Sequence, residues 1–147
     1  MTTAYILCGI QGSGKTTLAY SIEKQHGAKR YSHDEIIETN STKSGSELKR
    51  QMHKDAVESL SKGHSVVLDA LYTNAAHRKQ VLAELGTVDC KKILVVMAAP
   101  YEECLRRNAN RGNPIPEETI AWTHALYQQP KLSEGWDEII EIKPHNI

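Results

Sequence analysis

Residues 9–16, Gly9-Ile10-Gln11-Gly12-Ser13-Gly14-Lys15-Thr16, satisfy the pattern G-x-x-x-x-G-K-[ST] at every position. Before them stands a short, almost continuously apolar run, Ala4-Tyr5-Ile6-Leu7-Cys8, of the kind that forms a strand buried on both faces of a parallel sheet. After them Leu18, Ala19 and Ile22 recur at helical spacing until Gly27, which predicts a helix over Lys15–His26. Strand, glycine loop and helix together suit a bound phosphate. The glycines allow backbone N–H groups to close around it with positive φ, and the helix directs its N-terminal dipole at the anion. Chance alone yields this pattern in roughly 1% of chains of such length, before its flanks are required. Lys15 is then expected on the β and γ phosphates of ATP or GTP and Thr16 on Mg²⁺, with Gly9, Gln11, Gly12, Ser13, Gly14 and Thr17 completing the cradle.

Further strands and helices alternate along the chain. Ala28–Tyr31 reads as a weak second strand, followed by Ser32-His33-Asp34 and a short helix through Ile36 and Ile37. Asn40–Ser46 is a polar breaker segment, after which Leu48, Met52, Ala56, Val57 and Leu60 mark a helix that ends at Gly63. Ser65–Asp69 is a buried strand ending in a carboxylate, and Asn74 is placed to cap a helix holding Val81, Leu82 and Leu85, with Gly86 as its stop. Lys92–Met97 is the most strand-like run; a helix from Tyr101 to about Arg111, a loop stiffened by Pro114 and Pro116, a helix over Glu117–Tyr127 and a strand over Trp136–Ile142 complete the pattern. Five strands on short connections to helices predict one α/β domain over residues 1–147, with a parallel sheet covered on both faces.

With 18 basic and 18 acidic residues the formal net charge is zero, so no global field draws the chain to a polyanion. A polyanion would need a local patch; Lys43, Lys49, Arg50 and Lys54 are candidates, although a solvated face is the commoner role for such residues. Cys8, Cys90 and Cys104 are widely spaced, with no CxxC pair, which suits a reduced cytoplasmic setting. No apolar run is long enough for a membrane span, and the seven histidines form no metal-ligand pairing.

Two acids and two arginines are candidates for the chemistry. Asp34 follows the second strand at the sheet edge where ligands collect, placed to take the proton of an acceptor hydroxyl; as an alternative it caps the helix that follows. Asp69 ends Val66-Val67-Leu68-Asp69 in the manner of a Walker B strand and would support Mg²⁺. Arg107 and Arg111, four positions apart on one helix, share a face, and the Gly112–Pro116 loop makes that segment a candidate lid over the transferred phosphoryl group. Arg106, on another face, is expected to be solvated.

In this order the motifs resemble the 5′-hydroxyl polynucleotide kinase domain of phage and the related small P-loop kinases of the AAA_33 and zeta-toxin neighbourhood. The resemblance spans residues 4 to about 126 and rests on Gly12–Thr16, Asp34, Asp69 in Val-Leu-Asp-Ala, Ala99–Glu103, and Arg107–Gly112 followed by Pro114–Pro116. It implies a P-loop three-layer α/β/α sandwich with five parallel strands and a helical lid. It also implies that Lys15 and Thr16 hold nucleotide and metal, Asp34 is the general base, Asp69 supports the metal or the loop, and Arg111 clamps phosphates with Arg107 beside it. One position departs: three residues beyond the base, where the polynucleotide kinases carry an acceptor-binding Arg, this chain has Ile37. An ATP-dependent phosphotransferase acting on a nucleic-acid 5′-OH or a nucleotide is the leading expectation. A small-metabolite or antibiotic kinase and a non-catalytic nucleotide-binding regulator are the alternatives.

Overall fold

The computed structural model describes residues 1–40 and 42–143, in which five strands form one all-parallel sheet. They are β1 (Thr3–Cys8), β2 (Lys29–Ser32), β3 (Val66–Asp69), β4 (Lys91–Met97) and β5 (Glu138–Ile142), in the spatial order β2-β3-β1-β4-β5. The connecting helices are α1 (Lys15–His26), α2 (His33–Glu38), α3 (Gly45–Ser61), α4 (Ala75–Leu85), α5 (Tyr101–Ala109) and α6 (Glu117–Ala125). Ser41, within the polar Asn40–Ser46 segment, lies outside the described residues.

The period-two alternation of strand side chains divides the core in two. Ala4, Ile6, Cys8, Val66, Leu68, Leu94 and Val96 meet Met52, Ala56 and Leu60 of α3 and Val81 and Leu85 of α4 on one face. Leu7, Val67, Ile93 and Val95 meet Ala19 and Ile22 of α1 on the other. Helices α5 and α6 close over the glycine loop instead, through Ile10, Cys104 and Ile120. No helix among the described residues is long and apolar enough to cross a membrane.

Several boundaries differ from those read in the sequence, each for a local reason. Gly27 turns left-handed at φ 63°, so Ala28 is spent on the connection and β2 runs from Lys29 to Ser32. Helix α5 ends at Ala109 because the Asn108 amide turns back on the loop: its Nδ2 donates to the Ile115 carbonyl at 2.6 Å and its Oδ1 accepts from the Ile115 amide at 2.9 Å. Arg111 therefore lies beyond the helix, and the expectation that it shares a helical face with Arg107 is corrected. Helix α6 stops at Ala125, two residues short of the expected end. Strand β5 starts at Glu138 because Trp136 is committed to the core and Asp137 anchors the approach, its amide donating to the Lys92 carbonyl at 2.9 Å and its carboxylate accepting from the Lys92 amide at 2.7 Å. A 3₁₀ turn over Leu132–Glu134, absent from the sequence reading, feeds into it.

Arg78 occupies the apolar stripe of α4 with Val81 and Leu85 and is fully buried. Its guanidinium forks onto Glu134 at 2.9 and 3.1 Å and donates to the Tyr72 and Gln128 carbonyls at 3.0 and 2.9 Å, tying α4 to two loops. Truncation removes the counter-charge of Glu134, which keeps only the Trp136 Nε1 donor, and strands both carbonyls, so Arg78→Ala is expected to lower the unfolding free energy by about 3–5 kcal/mol in urea denaturation.

Candidate active site

Strand register brings the site together. Leu7 and Ser32 both pair with Asp69, so β1, β3 and β2 end level, and Gly9, Ala70 and His33–Asp34 emerge side by side at the carboxyl edge of the sheet. That is the edge at which open parallel sheets take ligands. A cleft of about 740 Å³ opens there, lined by Gln11, Gly12, Gly14, Lys15, Thr16, Thr17, His33, Asp34, Ile37, Asp69, Leu71, Arg107, Arg111 and Ile115 among others. Gly9 and Ser13 sit behind it: the Gly9 amide donates to the Leu71 carbonyl at 3.1 Å and the Ser13 amide to the Ile10 carbonyl at 3.2 Å.

The loop has the backbone its sequence demands. Gly12 and Gly14 adopt φ of 81° and 98°, a region closed to most side chains. A Cβ on Gly12 would also stand 2.6 Å from the Cys104 carbonyl oxygen of α5, which packs down on the loop. Gly12→Ala adds left-handed strain of about 1–2 kcal/mol to that clash. It is expected to weaken binding of a non-hydrolysable ATP analogue at least about tenfold by calorimetry.

Lys15 is buried, and its Nζ donates to the Ile10 carbonyl at 3.2 Å. Burial pushes its ammonium below the ordinary lysine range, against the pull of the Asp69 and Asp34 carboxylates. Asp69 is buried as well and is pushed above the usual carboxylate range by that burial, opposed by Lys15 and by the hydrogen bond from Thr16. The Thr16 hydroxyl donates to Asp69 Oδ2 at 3.0 Å, which sets two hard oxygen ligands side by side. The described residues hold no cluster of three or more His, Cys, Asp or Glu side chains that would enclose a metal. A cation held by Thr16 and Asp69 would need further oxygens from phosphate or water, which suits Mg²⁺ beside a nucleotide. The buried Ser13 Oγ and Gln11 Oε1, both without a partner among the described residues, likewise suit a loop that closes on a ligand.

Asp34 does not cap α2. Ser32 does so, its Oγ accepting from the Glu35 amide at 3.4 Å, and the Asp34 carboxylate has no hydrogen-bond partner among the described residues. Neighbours on both sides fasten α2: Arg30 forks onto Glu35 at 2.9 and 3.0 Å while lying over the Tyr20 ring, and His33 Nε2 donates to the Gly45 carbonyl at 2.7 Å. Asp34 is thus held on a braced helix with its carboxylate free.

On the opposite wall, Arg107 Nε donates to Glu103 at 3.1 Å and Nη1 reaches the Gly12 carbonyl at 3.5 Å. Arg111 projects into the same cleft from the turn after α5, whereas Arg106 is paired with Glu103 on an exposed face. Gln11 Nε2 donates to Thr123 Oγ1 at 3.2 Å, linking the loop to α6. Sequence reasoning did not single out Asn108, which pins the Arg111 loop, or Tyr72, a buried residue with φ 46° just beyond Leu71. Arg78 was legible in principle, since a guanidinium on an apolar stripe advertises a buried partner.

The chain matches the AAA_33 family model, described as an AAA domain, over residues 5–130. It belongs to that family. Among relatives of known activity, the AAA_33 chain is 22% identical over 141 residues to the L-seryl-tRNA(Sec) kinase of Methanococcus maripaludis, covering 90% of its own length and 55% of the relative's. Two solved structures share the fold: a sugar kinase from Janibacter sp. HTCC2649, with TM-score 0.76, 17% identity and coverage of 97% and 86%, and a fungal RNA kinase, with TM-score 0.73, 22% identity and coverage of 97% and 75%. The five-stranded parallel sheet and the helices around it are the fold this chain shares with both structures.

Proposed function

We propose that this chain is an ATP-dependent kinase that moves the γ-phosphoryl group to a hydroxyl, with the 5′-OH of a nucleic-acid end or of a nucleotide as acceptor. The observation that carries the proposal is the convergence of Lys15, the Thr16–Asp69 pair, Asp34, Arg107 and Arg111 on one cleft. In this reading Lys15 and the loop amides hold the β and γ phosphates, while Arg107 and Arg111 neutralise charge on the transferred group. Thr16 and Asp69 would hold Mg²⁺, whose chemistry there would be neutralisation of phosphate charge. Asp34 takes the proton of the acceptor hydroxyl, whose oxygen bonds to the γ phosphorus as the bond to the β–γ bridging oxygen breaks and ADP leaves.

The acceptor half rests on the motif order shared with polynucleotide kinases, and it agrees with relatives named for seryl-tRNA and RNA. Ile37 favours a second reading. It lines the cleft close to Asp34, where it offers no charge to an acceptor phosphate, as would suit a small neutral metabolite. Offering γ-labelled ATP and Mg²⁺ with 5′-OH oligonucleotides, nucleosides, sugars and small alcohols in parallel separates the two. Label on nucleic-acid ends or nucleotides supports the first reading, and label confined to sugars or alcohols transfers the site to the second.

A further inference from the structure

Of the four cations in and before α3 that could form a basic patch, Lys43, Arg50 and Lys54 are exposed and only Lys49 is drawn inward. Its Nζ lies 4.4 Å over the ring of Tyr72, and no carboxylate approaches it within ion-pair distance among the described residues. A half-buried ammonium on a ring, with only the more distant Glu84 carboxylate as counter-charge and that carboxylate already engaged by His53 and Arg50, carries a desolvation cost that solvated neighbours avoid.

Its position relative to the cleft follows from helical spacing. Gly45, one turn earlier on α3, packs against Ile37 and accepts the His33 hydrogen bond, and both of those residues line the cleft. Lys49 and His53 continue the same face at i+4 steps. Tyr72, beneath Lys49, directly follows Leu71, another lining residue. Lys49 therefore stands one helical turn along α3 from Gly45, beside the His33–Ile37 wall of the cleft and just outside its lining.

The platform under it is rigid by construction. Tyr72 is held in its left-handed conformation by three contacts: its hydroxyl donates to His53 Nε2 at 2.7 Å, its carbonyl accepts from Arg78 at 3.0 Å, and its ring carries Lys49. His53 is itself oriented by Glu84 on its Nδ1. Backbone strain of this kind persists only where surrounding contacts over-determine it, and such places gather at ligand sites.

We infer that Lys49, stacked on Tyr72, is the anchor for an anionic group, a phosphate adjoining the acceptor hydroxyl, and that it takes over the charge Ile37 cannot supply. The inference rests on the nucleotide-or-nucleic-acid reading of the acceptor. Burial lowers the Lys49 ammonium to about 8, so the anchor loses its charge in mildly alkaline solution. The groups that face it are Tyr72 from the β3–α4 loop, Glu84 and His77 from α4, and His53 from α3; Arg50 is exposed and pairs with Glu84, and His33 acts on His53. Burial lowers His53 and His77 and raises Tyr72, which leaves Lys49 to titrate above neutrality.

The test compares kcat/KM for thymidine 3′-monophosphate, a 5′-OH oligodeoxynucleotide and thymidine. Wild type is expected to prefer the phosphate-bearing acceptors by about tenfold or more, from a charged hydrogen bond. Lys49→Met should bring that ratio close to one, and Lys49→Arg should retain it. The wild-type ratio should fall above about pH 8, and that of Lys49→Arg should stay level. Preference for the mononucleotide identifies a nucleotide acceptor; preference for the oligonucleotide alone identifies a nucleic-acid end. A folded Lys49→Met that keeps the wild-type ratio overturns the anchor and leaves the kinase reading intact. Label transferred only to phosphate-free acceptors overturns the anchor together with the phosphate-bearing acceptor on which it rests.

Discussion

Asp34→Asn is expected to lower kcat by about 10²–10⁴-fold, the usual contribution of a positioned general base, while leaving affinity for nucleotide nearly unchanged. The amide matches the carboxylate in shape but accepts no proton from an attacking hydroxyl. Because Ser32 caps α2 and the Arg30–Glu35 fork fastens it, the substitution removes no structural bond from Asp34. Circular dichroism and thermal melting should therefore match wild type. A purely structural Asp34 would give the opposite outcome, with turnover intact. Rapid-quench measurement of a single turnover isolates the chemical step from product release.

Lys15→Met should lower kcat/KM by about 10²–10³-fold or more, because a buried ammonium acts on the phosphates with little screening by solvent. Stability should change far less than activity. Burial already holds the Lys15 ammonium below its ordinary range, so the unliganded protein spends free energy keeping that charge in place. Methionine removes the cost and preserves the stem's packing, at the expense of the nearby Asp69 carboxylate, which loses a counter-charge. Equilibrium binding of an ATP analogue, measured beside a melting curve, should fall while the melting temperature holds. A collapse of both would assign Lys15 to the scaffold instead of the ligand.

The parts of this site that lie along the chain were legible in the sequence. Loop, strand and helix are contiguous from Thr3 to His26, so period and glycine spacing alone placed α1 at the bounds observed. Asn74 and Gly27 likewise act locally, through a capping bond and a left-handed turn. Features that depend on distant partners were not legible. Periodicity carried α5 on to Arg111, but the Asn108–Ile115 pair ends it earlier, and no pattern within a helical turn reveals a bond to a residue seven positions on. Asp34 reads in the sequence as the alternative cap of α2, and the extended backbone that makes Ser32 the cap instead leaves no mark there. Lys49 looked like one of four surface cations until Tyr72, 23 positions away, came to lie beneath it. Tyr72 itself carries no sequence sign of its left-handed backbone, since that conformation is imposed by His53 and Arg78 from two other helices.

The most direct measurement is the fate of label from γ-labelled ATP incubated with Mg²⁺, the wild-type protein and a mixture of hydroxyl acceptors, including 5′-OH oligonucleotides. Phosphoryl transfer predicts that label leaves ATP for an organic acceptor as an acid-stable monoester, at a rate lost in Asp34→Asn. Tight nucleotide binding with label confined to ATP and inorganic phosphate, across the whole mixture, would contradict the account and mark the chain as a nucleotide-binding regulator.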